Sequence, residues 1–91
     1  MTILEEQIER LYNLKLKLEQ IIRHPNRSLL DVIMIDYIIL LRDDIEDELQ
    51  VSKIINRVGD AEKVKNQIIY NSSRLLKAEP EIKNIYNLIN K

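Results

Sequence analysis

A chain of 91 residues with 45% apolar content is long enough for one small globular domain and too apolar for a disordered segment. It has no cysteine and a single histidine, His24, which excludes disulfide frameworks, thiolate metal sites and motifs built on two histidines. The net charge of −1 hides a polarity: residues 1–52 carry eleven acids against six bases, and residues 53–91 four acids against eight bases. That polarity can help the halves pack, but it falls short of the dense basic stripe that duplex nucleic acid calls for.

Four tyrosines are the only aromatics, so the core is expected to be aliphatic, and one glycine with two prolines leaves too few turn residues for an all-β fold. The opening residues carry Glu5, Glu6 and Glu9, the wrong charge for a signal peptide. The longest apolar run, 32–41, is interrupted by Asp36, and a bilayer span needs about 20 apolar residues. A cytoplasmic location is the expectation.

Thr2-Ile3-Leu4-Glu5 fits a capping box, and Leu4, Ile8, Leu11, Leu14, Leu18, Ile21 and Ile22 recur at helical spacing behind it. The first helix is predicted over 3–23, stopped by His24-Pro25. Ser28-Leu29-Leu30-Asp31 reads as a second start. Leu30, Ile33, Met34, Tyr37, Leu40, Leu41 and Ile45 form its stripe, widened by Ile35, Ile38 and Ile39 to a segment enclosed by neighbours. The β-branched run also fits a buried strand, although nothing else in the chain reads as a pairing strand.

Asp43, Asp44, Glu46, Asp47 and Glu48 crowd the next positions and either close this helix, predicted over 29–47, or open the following one, with Ser52 as a candidate cap. Ile54, Val58, Ala61, Ile68 and Leu75 then fall on heptad-like spacing. That register predicts a third helix over 52–77 running past Gly59-Asp60, with a kink allowed there. Pro80 suits the first turn of a fourth helix over 80–90, with Ile82, Ile85, Tyr86 and Ile89 inward and fraying at Asn90-Lys91. The expected architecture is all-α, a single domain over 1–91 forming an antiparallel up-down four-helix bundle.

Three constellations bear on chemistry. The acids at 43–48 could share a divalent cation on a helix face, but no histidine, carbonyl-rich loop or second carboxylate group is placed to complete a shell. Glu5-Glu6-Gln7-Ile8-Glu9 matches the EExxE pattern of all-helical, magnesium-dependent nucleotide pyrophosphatases. The second carboxylate pair this requires has only Asp44 and Asp47 to offer, so favourable charge at a helix start is the simpler reading. Ser28, Ser52, Ser72 and Ser73 lack flanking motifs, and no glycine-rich loop exists to cradle phosphate. No enzyme activity and no cofactor are expected. Tyr12, Tyr37, Tyr70 and Tyr86 are expected at the core edge with their hydroxyls reaching water.

The segments Ile8-Glu9-Arg10-Leu11-Tyr12-Asn13, Leu29-Leu30-Asp31-Val32-Ile33, Ile54-Ile55-Asn56-Arg57-Val58 and Ile82-Lys83-Asn84-Ile85-Tyr86-Asn87-Leu88-Ile89, in this order, resemble the immunity proteins of pediocin-like (class IIa) bacteriocins, the enterocin A immunity group in particular. Each segment is a short amphipathic pattern, and together they span most of the chain. The resemblance implies a cytoplasmic four-helix bundle that protects a producer cell by recognising the mannose phosphotransferase permease with bacteriocin docked on it. It also implies that partner choice lies largely in the C-terminal half. The residues expected to contact the partner, chosen for exposure and location, are Lys77, Lys83, Asn84, Asn87 and Lys91. The alternative is a small self-associating structural or regulatory protein of phage or plasmid type.

Overall fold

The computed structural model describes residues 2–58 and 62–90, and among these it is all-α, with no strand. Four helical segments, α1 (Ile3–Ile22), α2 (Val32–Val58), α3 (Glu62–Leu76) and α4 (Glu79–Ile89), are joined in part by a 3₁₀ turn, Arg27–Leu29. The start of α1 is the expected capping box. The Glu5 amide donates to Thr2 Oγ1 at 3.1 Å and the Thr2 amide to Glu5 Oε1 at 3.4 Å.

The second start lies three residues later than Ser28. Ser28 falls inside the 3₁₀ turn, and Asp31 takes the cap instead, its carboxylate accepting the Met34 amide at 2.7 Å. A charged acceptor at the end of a helix dipole outcompetes a hydroxyl placed one turn earlier.

The boundary expected between 47 and 52 does not exist. One helix replaces the end of the 29–47 segment and the start of the 52–77 segment, because no glycine or proline falls between Val32 and Val58. The acidic cluster therefore sits in a helix interior, away from both ends of the dipole, where it neither closes nor opens anything. Ser52 caps nothing and is fully buried. The expected passage of a helix through Gly59-Asp60 lies outside the described residues. The register that carried it joins two different faces: Ile54 and Val58 are exposed on α2, whereas Ile68 and Ser72 are buried on α3.

Directions follow from the side-chain contacts. Lys15 meets Glu46 at 3.5 Å, and Glu5, Ile8 and Glu9 share a cleft with Lys53, Asn56 and Arg57, so α2 runs antiparallel to α1. Gln7 donates to Ser73 at 2.8 Å and Arg10 pairs with Glu79, while His24 Nε2 lies 3.2 Å from Asn90 Oδ1. Numbers rise together along both partners, so α3 and then α4 run parallel to α1. The antiparallel turn expected before the fourth helix is absent. Instead α3 and α4 form one broken rod, and the up-down order stops at three rods. Pro80 explains the break: it has no N–H to give, and its ring crowds the carbonyl one turn back. The chain answers with two bonds reaching three residues back, from the Lys77 amide to Arg74 O at 3.4 Å and from the Ala78 amide to Leu75 O at 3.2 Å, then resumes the helix. The long axis of 46 Å matches α2, whose 27 residues span about 40 Å.

Leu11, Leu14, Leu18 and Ile21 of α1, Ile38, Leu41, Ile45 and Leu49 of α2, Leu76 of α3 and Ile82, Ile85 and Ile89 of α4 form the core. Towards the N-terminal end of α1 the apolar core gives way to a polar layer of Gln7, Ser52, Ser72 and Ser73. The two α3 serines bond back to the carbonyls of Ile68 and Ile69, at 2.7 and 2.8 Å. Gln7 Oε1 and Ser52 Oγ are buried without a hydrogen-bond partner among the described residues. An unsatisfied buried hydroxyl costs free energy, and alanine is the better helix former. Ser52→Ala is therefore expected to stabilise the chain by about 1 kcal/mol, read as a higher urea midpoint at unchanged slope.

Candidate interaction surface

α4 is amphipathic in the simplest way. Ile82, Ile85 and Ile89 are buried, Tyr86 packs half-buried against the core, and Lys83, Asn84, Asn87 and Leu88 are exposed. Among the expected contact residues, Lys83, Asn84 and Asn87 are exposed together on α4, and Lys77 is exposed at the break between α3 and α4. Lys91 lies outside the described residues. Lys83 borders a shallow cleft with Asn13, Leu14, Lys17 and Glu79, and Lys77 borders another with Arg10, Ser73, Glu79 and Pro80. Lys17 covers the Tyr86 ring at 4.1 Å, so this side of the molecule is basic but tempered by Glu79.

At the far end of α4 the Asn90 amide donates to Tyr86 O at 3.0 Å. Asn26 Nδ2 donates to the Ile89 carbonyl at 2.9 Å, and the Asn26 amide donates to His24 Nδ1 at 3.0 Å. That bond makes Nδ1 an acceptor, leaving Nε2–H to donate to Asn90. His24 is a structural clasp between the α1–α2 loop and the end of α4.

A second surface was hidden by the sequence pattern. Ile33, Tyr37 and Leu40, expected in the core stripe of the second helix, lie on its outer side, with Ile33 82% and Leu40 64% exposed. The segment is thus not enclosed. Two interleaved stripes run along α2: Ile38, Leu41, Ile45, Leu49 and Ser52 face inward, while Ile33, Tyr37, Leu40, Val51, Ile54 and Val58 face out. Periodicity alone merged them, because the two stripes are adjacent in number for the first three turns. The signal that separates them is the unbroken 4-3-4-3 spacing of 33, 37, 40, 44, 47, 51, 54 and 58. Tyr37 is the most covered member. Burial, and then the nearby Glu81 carboxylate, push its phenol above the usual tyrosine range. Tyr12 and Tyr70 are exposed outright, further from the core edge than expected.

Between α2 and α3 a cleft of about 370 Å³ is lined by Asp44, Asp47, Glu48, Asn71, Arg74 and Leu75. Arg74 of the basic half lines this cleft with acids of the acidic half. Glu5 and Glu9 likewise lie beside Lys53 and Arg57, whereas the Arg10–Glu79 pair crosses with the opposite signs, so the charge polarity accounts for only part of the contacts between the halves. Among the described residues no three acidic or histidine side chains come together to hold a metal ion. Glu5 and Glu9 face Lys53 and Arg57, not Asp44 and Asp47, so the EExxE residues and their candidate second pair are not brought together.

Burial holds the Glu48 carboxyl above the ordinary glutamate range, and its Oε1 has no hydrogen-bond partner among the described residues. The folded chain then binds this proton more tightly than the unfolded one. Stability falls as pH rises through the interval between the unfolded and the raised folded value, and the buried charge costs stability above it. Glu48→Gln is expected to melt higher than the parent at about pH 7 and to match it near pH 3, below both values, as read by thermal denaturation at the two conditions.

Among the described residues no helix is long and apolar enough to cross a membrane. No protein-family model, curated protein or solved structure matches this chain.

Proposed function

We propose that this chain is a non-enzymatic, protein-binding helical module of the bacteriocin-immunity type, which protects a producer cell from the cytoplasmic side by engaging a permease with bacteriocin docked on it. The observation that carries this reading is α4. It is anchored through three buried isoleucines and presents Lys83, Asn84 and Asn87 outward on one helix, with Lys77 exposed just before it. A rigid helix bearing a polar, basic outer side suits recognition of a protein surface, because the backbone that carries these side chains is already ordered when the partner arrives. The four segments that resemble class IIa immunity proteins fall in or at the start of α1, α2 and α4 and near the end of α2.

Expression in a sensitive lactic acid bacterium carrying a mannose phosphotransferase permease tests the proposal. Resistance to at least one class IIa peptide is expected, and it should be lost with Lys83→Glu combined with Asn87→Asp, both at exposed positions. Unchanged sensitivity to every peptide in the panel, with the protein present at detectable level, overturns it.

A further inference from the structure

The outer stripe of α2 has the spacing of a coiled-coil seam along almost the whole helix, from Ile33 to Val58; its apolar members are exposed, and its two central positions line the open cleft against α3. Its two ends are apolar and its middle is acidic. Ile33, Tyr37 and Leu40 occupy one end and Val51, Ile54 and Val58 the other, and the two central positions are Asp44 and Asp47. Neither aspartate forms an ion pair or hydrogen bond among the described residues. Glu48 and Arg74 flank them in the cleft, and Asp43 beside them is held by Arg42 at 3.1 Å, which leaves the middle of the strip negative.

We propose that this face docks one amphipathic helix of a partner protein, apolar along its length and carrying lysine or arginine at its centre. Apolar residues of the partner would cover the two ends, and the central bases would meet Asp44 and Asp47 where a hydrophobic helix would strand both carboxylates away from water. The charge argues against the two other occupants of such a face. Pairing two copies antiparallel sets Asp44 of each against Asp47 of the other, and a parallel pair sets like against like. An anionic lipid surface meets the same acids and is repelled. The strip contains none of Lys77, Lys83, Asn84 and Asn87, and its variants leave those residues intact, so its occupancy and the immunity reading are tested separately.

The probes are two synthetic peptides of roughly 24 residues, long enough to match the strip at helical rise, with leucine and isoleucine on heptad positions. One carries two central lysines and the other two central glutamates. In fluorescence anisotropy with the full chain, the lysine peptide is expected to bind at least about tenfold more tightly than the glutamate peptide, with the difference shrinking in high salt. Asp44→Lys with Asp47→Lys should invert the preference. Leu40→Glu should weaken the lysine peptide about tenfold although it adds negative charge, which separates docking from simple attraction of a base to an acidic protein. Ile54→Glu serves as the second such variant, and circular dichroism checks that each retains its helix content.

Equal affinities for the two peptides, or binding indifferent to Leu40→Glu and Ile54→Glu, overturns the proposal. So does a dimer in light scattering that Leu40→Glu dissolves, or capture of the chain through this face by phosphatidylglycerol vesicles.

Discussion

Ile38→Ala is expected to destabilise the chain by about 3 kcal/mol, while Leu40→Ala, two positions along the same helix, changes stability by less than about 0.5 kcal/mol. Ile38 is fully buried in the shared apolar core, and Leu40 is 64% exposed. Removing the Ile38 side chain loses its transfer free energy and leaves a cavity that three packed helices cannot easily close. Leucine and alanine have similar helix propensities, so nothing in the backbone offsets or mimics the contrast at 40. In a chain of this size the Ile38 change corresponds to a melting temperature about 12–24 °C lower. Equal losses at the two sites would mean that α2 is rotated and that its outer strip is core.

Ile82→Ala is expected to cost a similar amount, about 3 kcal/mol, but to distribute it differently. α4 contacts the rest of the chain chiefly through α1, and Ile82 is its first buried anchor after the break at Lys77 and Ala78. Loosening that anchor frees α4 while α1, α2 and α3 keep their mutual contacts. Hydrogen exchange should therefore show the amides of α4 losing protection well before those of the middle of α1 and α2. A uniform loss across all helices would show that α4 unfolds only with the whole.

The parts of this fold that local chemistry dictates were legible in the sequence. The capping box at Thr2 and Glu5, the stop at His24-Pro25 and the resumption of helix around Pro80 each depend on one or two neighbouring residues. What required the fold was set by long-range packing. The acids at 43–48 look like a terminus because isolated helices avoid such a run, yet α2 carries them through its middle because both flanking stretches are pinned by Ile38, Leu41, Leu49 and Ser52. Pro80 marks a helix start equally well whether the chain reverses or continues, and only the contacts of Ser73 and Glu79 with α1, and of Asn90 with the loop that follows it, decide it. The same division holds for the candidate site. Exposure of Lys77, Lys83, Asn84 and Asn87 follows from the spacing of the isoleucines around them. The outward strip of α2 was missed because Ile33 and Met34, or Leu40 and Leu41, are chemically alike, and nothing local says which of each pair faces water.

The broken α3–α4 rod also sets the order in which the molecule can be assembled. Arg10 and His24 of the α1 region wait for Glu79 and Asn90, which follow them by 69 and 66 residues. On a growing chain, α1 and α2 can close into a hairpin long before α4 exists, and the apolar flank of α1 around Leu14, Leu18 and Ile21 stays bare in the interval. Folding is therefore completed by its shortest helix, closing over a surface that was made first.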